Sequence, residues 1–356
     1  MIAEHIEFQR LNGDQGREFI NTQQRFQTYL DARRRGSGYR GSMIFAARHG
    51  VEYLLRDYYD PKSGVKRQRS LGRRDEHTEK VFAEFTRGKE EAARQLKVAT
   101  ETLRRQAAVN RALGMGRVPE IGAKIIRAVD GADLLGKGLK VVGTNALFAY
   151  EASAGVRFPS DITTTEDIDL LFDARAHMRL AAEEDVAERT LLGLLKKADR
   201  SFRRTDRTFQ AVSDEGYLVD LIKPMRDPPW KVEVSSVSGE PSDLEAVQII
   251  GLAWHENAPQ FEAMAIDARG FPVRIVAPDP RAYVVHKHWL SERPDRNTLK
   301  RDRDAAQARW VAALVATHMP NLPFDPEVLK SFPKSVVERA KPLFEVPGSA
   351  EASFAM

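Results

Sequence analysis

Apolar positions along this chain recur with two periods, and the period changes several times. Residues 14–35 repeat at helical spacing and close on Arg33-Arg34-Arg35-Gly36. Between 42 and 72 the spacing shortens. SMIFAARHG, VEYLLRDYYD and VKRQRSLG read as short strands, with Gly50 and Pro61-Lys62-Ser63-Gly64 as the turns between them. A long helix is predicted over 76–113, with Leu96, Val98, Leu103 and Ala107 on its apolar stripe. Gly114-Met115-Gly116 ends it, and Pro119 suits the first turn of the next helix.

From 139 onward the texture is mixed. LKVVG reads as a buried strand, TNALFAYEAS as the helix after it, and IDLLFD as a second strand. EEDVAERTLLGLLKKA is an amphipathic helix, RTFQAVS and YLVDLIKP are two more strands, and FPVRIVAP is a late one. After Pro278 the pattern turns helical again, in RAYVVHKHWL and LKRDRDAAQARWVAALVATH. The expected class is α+β. A helical N-terminal region with a small β-meander spans 1–119, a mixed α/β core 120–277, a helical region 278–345 and a tail 346–356. There is no internal repeat or low-complexity tract.

Composition narrows the chemistry. The 356 residues suffice for a substantial core without covalent staples. Cysteine is absent, which excludes disulfides, thiolate metal sites and cysteine nucleophiles and fits a reducing, cytoplasmic setting. No run of about 18 apolar residues occurs, so no membrane span is expected. MIAEHIEFQR is charged and does not read as a signal peptide. Residues 1–120 carry 24 Lys and Arg against 16 Asp and Glu, a net of +8, whereas the remainder has a net of −4. That asymmetry suits a nucleic-acid-facing module joined to a metal-binding one, or a solvated surface with a chance imbalance.

Three pieces carry candidate chemistry. In Val141-Val142-Gly143-Thr144-Asn145 a buried strand runs through Gly-Thr into a helix. Backbone N–H groups at such a junction can cradle phosphate, Gly143 allowing close approach and Thr144 adding a hydroxyl. Strand–Gly–helix junctions are also common in folds with no phosphate to bind. The second piece is Thr165-Glu166-Asp167-Ile168-Asp169-Leu170. In a strand, Asp167 and Asp169 project together while Ile168 faces the opposite side. Paired carboxylates repel unless a cation lies between them, and Mg²⁺ or Mn²⁺ accepts such hard oxygen donors. The alternative is a pair of solvated acids at a strand end. The third piece is Asp220, which interrupts the apolar strand Tyr217-Leu218-Val219-Asp220-Leu221-Ile222. A buried carboxylate needs a cation or an ion pair, with Lys223 or an Arg as the competing partner.

Gly-Thr at a strand–helix turn, an Asp-x-Asp strand and a later strand Asp together resemble the polymerase-beta-like nucleotidyltransferase superfamily. The Thr-x-Asp-Ile-Asp-Leu form is similar to the bacterial branch that includes abortive-infection toxin-type nucleotidyltransferases. The chain resembles an uncharacterised bacterial nucleotidyltransferase family over most of 42–325, through SLGRR, the GRVP turn, VVGTNALFAYEA, DIDLLFD, GYLVDLIKP, PDPRAYVVHKHWLSER and KRDRDAAQA. The resemblance implies a nucleotidyltransferase-fold core. It also implies transfer of a nucleoside monophosphate from an NTP such as ATP to an acceptor hydroxyl, with Mg²⁺ or Mn²⁺. Asp167, Asp169 and Asp220 would be the catalytic and metal-binding residues. Gly143, Thr144 and Asn145 would face the nucleotide. One departure stands out: Gly143 and Asp167 lie 24 positions apart, longer than the compact motif. The stretch EASAGVRFPSDITTT is a loop near the nucleotide or a longer connection.

Further along, Lys287 within His286-Lys287-His288-Trp289 is a candidate for the triphosphate, with Asp304 on a neighbouring helix as its brace. His286 and His288 lack the i, i+4 spacing of a zinc pair. Arg301, Asp302, Arg303 and Asp304 read as ion-pairing residues. In the N-terminal region Lys62, Lys66, Arg67, Arg69, Arg73 and Arg74 follow Tyr58-Tyr59. Basic side chains beside aromatics suit a nucleic-acid strand, and by analogy with the toxin-type relatives tRNA or another structured RNA is the natural acceptor class. Charged hairpins also serve as solvated edges. The rival functions are modification of a protein side chain and nucleotide or nucleic-acid binding without turnover.

Overall fold

The structure, a computed structural model, describes residues 6–59, 66–175, 190–226 and 233–345. The predicted turn 61–64 with Lys62, residues 183–189 of the predicted amphipathic helix and the expected tail lie outside the described residues.

The chain opens with β1 (Gln9–Arg10) and α1 (Gly13–Ser37). Asn12 caps α1: its side chain accepts from the Gln15 backbone N–H, and Gln15 reaches back to the Asn12 N–H. A meander follows, β2 (Met43–Arg48), β3 (Val51–Tyr59) and β4 (Lys66–Arg73), antiparallel throughout. Then α2 (Glu76–Ala112) begins with a second capping box, Asp75 with Thr78. The two long helices run antiparallel. Gln15 donates to the Leu113 carbonyl at one end, and Arg35 donates to Gln95 at the other. On α2 the buried positions include Ala92, Ala99, Leu103, Gln106 and Asn110, a strict three-and-four spacing. Val98 falls off that row and is 59% exposed, so it is not part of the apolar stripe.

Next come α3 (Glu120–Gly131), β5 (Leu139–Val142), a 3-10 turn over Gly143–Ala146, and α4 (Leu147–Ala154). The connection to the next sheet strand contains β6 (Val156–Arg157) and α5 (Ser160–Thr163) before β7 (Asp167–Phe172). This long stretch is a packed connection. Glu151 within it accepts a bidentate pair from Arg117 at 2.8 and 3.0 Å and a third bond from the Phe158 N–H. After α6 (Leu191–Ala198) come β8 (Arg203–Arg204), β9 (Gln210–Val212) and β10 (Leu218–Pro224). Then follow β11 (Val247–Ile249), α7 (Leu252–Asn257), the hairpin β12 (Gln260–Ile266) with β13 (Pro272–Pro278), α8 (Pro280–Ser291), α9 (Thr298–His318) and α10 (Lys334–Ala340).

The central sheet has the order β5-β7-β10-β9-β8, with β11 alongside β10. β10 is parallel to β7 and β11; the other pairs are antiparallel, so the sheet is mixed and the class is α+β. Ile168, Leu170, Val219 and Leu221 are fully buried on its core face. Each such side chain contributes about 1.5–3 kcal/mol by leaving water. The same apolar core includes Tyr283 and Val284 of α8 and Ala308, Val311 and Val315 of α9. The helices after Pro278 therefore close the core. Among the described residues no helix is long and apolar enough to cross a membrane.

The long-helix pair docks on this core through an apolar cluster, Phe19 and Phe26 against Met264 and Ile266, and through specific polar contacts. Asn110 donates to the Gly270 carbonyl at 2.8 Å, and Arg33 meets Asp130 at 2.9 Å. Gly270 has φ +86°, and a Cβ there would lie 2.1 Å from the Ala107 carbonyl oxygen. Gly270→Ala should destabilise the fold by about 1–3 kcal/mol. Gly114→Ala, at φ +62° with open space around it, should cost less. Thermal melts of the two variants check the difference, and equal melting temperatures would remove the clash argument.

Candidate active site

The sheet register assembles the carboxylates. β7 and β10 are parallel neighbours in which Asp169 lies opposite Asp220, while Asp169 faces Val142 across the antiparallel pair with β5. Strand alternation turns Ile168 and Leu170 into the core and leaves Asp167 and Asp169 on the other face. All three acids line one cleft of about 430 Å³, together with Gly143 and Thr144. The sequence-predicted triad is thus brought together on one sheet face.

Gly143 has φ +64°, and a Cβ there would lie 2.3 Å from Asp169 Oδ2. The space a side chain would fill is held by the carboxylate, which is a demand for glycine distinct from phosphate approach. Thr144 lines the cleft, and its hydroxyl accepts from Gln307 Nε2 at 3.2 Å. Asn145 turns elsewhere: it is buried and donates to the Asp167 backbone carbonyl at 2.7 Å, where the Tyr217 hydroxyl also donates at 3.2 Å. It braces the start of β7 and is not among the cleft-lining residues.

The carboxylates repel one another. Burial, reinforced by Asp167 and Asp220, pushes the Asp169 carboxyl up to about 7, against the pull of Lys287 and Lys300. Burial also raises Asp220, opposed by the bond it accepts from Gln210 Nε2 at 2.8 Å. Lys223, the alternative partner of Asp220, donates to the Val234 carbonyl instead. Among the described residues none of the three acids forms an ion pair. The donor set is hard oxygen with unmet negative charge, which fits Mg²⁺ or Mn²⁺. Among the described residues, however, no group of three or more His, Cys, Asp or Glu already stands in position to hold a metal ion.

The opposite wall comes from α8 and α9. Lys287 is buried and donates to Asp304 at 2.7 Å, the brace expected from the sequence. Arg296 bonds the other oxygen of Asp304. Lys300, Arg303, Asp304 and Gln307 line the cleft from one face of α9, at the three-and-four spacing that stacks side chains on a helix. Arg303 donates to the Thr164 carbonyl, whereas Lys300 is exposed, as is Arg207 across the cleft. Sequence reasoning missed Arg207, Arg296 and Lys300 as cleft cations; the helical spacing of 300, 303 and 307 was the available signal. It also missed His255, whose Nε2 lies 2.8 Å from His286 Nδ1. Burial pushes His286 down to about 3 and His255 well below its ordinary value, so both rings are neutral.

A mixed α+β sheet with three acids on one face, beside a Gly-Thr turn and walled by cationic helices, is the arrangement of a nucleotidyltransferase domain. A nucleotidyltransferase family model matches residues 120–331, more than half of the chain, and the chain belongs to that family. The matched stretch includes α8 and α9 and starts after the long-helix pair. Neither the curated proteins nor the solved structures include a match to this chain.

Because the folded-state pKa of Asp169 lies above the ordinary value near 3.9, folded protein holds this proton more tightly than unfolded chain. Its contribution to stability is complete below about pH 4 and is lost as pH rises through about 7. In EDTA, Asp169→Asn should therefore melt higher than wild type at pH 8, by about 2 °C or more. The gap should close by about pH 4. A pH-independent difference would rule out this electrostatic strain.

Proposed function

We propose that the chain transfers a nucleoside monophosphate from an NTP to an acceptor hydroxyl and releases pyrophosphate. The observation that carries the reading is the in-register pair Asp169–Asp220, with Asp167 on the same face, beside Gly143. Asp167, Asp169 and Asp220 would hold Mg²⁺ or Mn²⁺, which supplies positive charge for the triphosphate and the leaving group.

The chain's own residues then do the following. Gly143 and Thr144 face the phosphates at the turn. Lys287, fixed by Asp304, contributes a stationary positive field. Lys300 and Arg207 are exposed and free to close on a bound triphosphate. Asp220, with its raised proton affinity, accepts the proton of the acceptor hydroxyl. The hydroxyl oxygen bonds to the α-phosphorus as the bond to the bridging oxygen breaks, and pyrophosphate departs. RNA is the acceptor class that the basic N-terminal region favours, with its net of +8 over residues 1–120. Of the basic residues named there, Lys66 pairs with Asp57, and Arg74 with Glu52 and Glu79.

Two outcomes test this. Mg²⁺ with NTP should raise the melting temperature of wild type, and Asp169→Asn should abolish the rise; an equal rise in EDTA would sink the metal reading. With α-labelled NTP and total RNA or protein, Asp220→Ala should transfer label at least about 10²-fold more slowly while still binding NTP. Full transfer by that variant would leave Asp220 a structural residue. Label in the protein fraction alone would replace RNA as acceptor.

A further inference from the structure

A second cleft, larger than the first, lies on the far side of α3. It measures about 640 Å³ and opens between the long-helix pair and the core. One wall is α1 and α2, and the other is α3 with the hairpin β12–β13. Phe26 and Tyr29 of α1 line it with rings nearly parallel, 11° apart at 6.1 Å, and Phe271 lies on the hairpin side. Arg33, Arg104, Lys124, Arg127, Arg269 and Arg274 also line it, against three acids, Glu120, Asp130 and Asp267.

The acids are already shared out among these cations. Asp130 holds both Arg33 at 2.9 Å and Arg274 at 2.8 Å. Glu120 holds Lys124 at 2.8 Å and Arg269 at 3.3 Å, and Asp267 holds Arg127 at 2.7 Å. Glu262, outside the cleft, also holds Arg274 at 2.7 Å and Glu101 holds Arg104 at 3.4 Å, so the six cations meet five carboxylates and one positive charge is left unmatched. Aromatic faces beside surplus Arg and Lys suit a ligand with a flat ring and a phosphate. An apolar ligand would meet too much charge, and a bare anion would leave the aromatic faces unused.

We infer that this cleft binds a nucleotide unit, its base against the Phe26–Tyr29 face and its phosphate toward Arg104 and Arg269 on opposite walls. The unit is either free or part of a single RNA strand. In the second case the inference deepens the acceptor reading above and rests on it for the strand's role, but binding itself requires no transfer chemistry. The cleft also joins the candidate active site to the region before the family match. Gly122 of α3 lies against Tyr217, whose hydroxyl donates to the Asp167 carbonyl, while Lys124 and Arg127 of the same helix face the second cleft.

The test is fluorescence anisotropy of the full chain with a labelled single-stranded RNA of about ten nucleotides, competed by AMP or inorganic phosphate. Wild type should bind, Tyr29→Ala should weaken binding about tenfold, and Tyr29→Phe should not. The exposed pair Arg104→Ala with Arg269→Ala should lower the salt slope by roughly 0.7 for each lost phosphate contact. Competition by AMP supports a free nucleotide; competition by neither small probe supports the strand. Inorganic phosphate competing as well as AMP, no binding at low salt, or unchanged binding by all the variants overturns the inference. Stabilisation by Mg²⁺–NTP should survive in every cleft variant. A wild type that binds RNA in a Tyr29-dependent way yet shows no Mg²⁺–NTP stabilisation sinks the transfer reading and leaves this one standing.

Discussion

Asp169 and Asp220 are held side by side by the parallel register of β7 with β10, and their mutual repulsion shapes everything around them. The backbone ladder keeps them adjacent, since a slip of one residue would turn every apolar side chain of the strand out of the core. The charge must therefore be managed by neighbours. Gly143 gives up its side chain to make room for Asp169. Gln210 donates to Asp220, and Asn145 and Tyr217 pin the backbone at Asp167. An apolar pair at these positions would cost less, so the paired acids are kept at an electrostatic cost.

The cationic wall answers the acids from a distance. α8 and α9 are locked into the same core as the sheet, through Tyr283, Val284, Ala308 and Val311. Asp304 binds Lys287 and Arg296 together, one carboxylate to two cations, and so fixes where their remaining charge lies. A buried pair of this kind positions charge more than it stabilises the fold. Lys300, one turn along α9, stays open to a ligand. The cleft thus has fixed acids on the sheet and a graded set of cations on the helices, some immobile and some free.

The N-terminal helices are attached differently. Their seam with each other mixes small buried apolar residues, Ala32, Ala92, Ala99 and Ala107, with a polar network of Thr22, Asn110, Gln106 and Glu18 bonded across it. Their seam with the core joins the Gly270–Asn110 contact and the Arg33–Asp130 pair to an apolar cluster of Phe19 and Phe26 with Met264 and Ile266, and leaves a cationic cleft beside it.

Much of this was legible in the sequence wherever local physics sets the outcome. Periodic segments closed by glycines gave α1 and α2 to within about two residues, and turn residues separated the meander strands. The alternation of acid and apolar residues in Asp167-Ile168-Asp169-Leu170 assigned the carboxylates to one face, because side-chain direction in a strand follows from sequence parity alone. Short elements such as α7 and β12 escaped notice, since a few residues carry too weak a period. Tertiary structure alone decided that Asp220 would stand opposite Asp169, that Gly143 would yield to a carboxylate, and that His255 would meet His286. It alone turned Asn145 to the Asp167 backbone and opened a second cleft behind α3. Each of these joins residues far apart in the chain, and long-range proximity depends on how the layers pack, a quantity that no local pattern encodes.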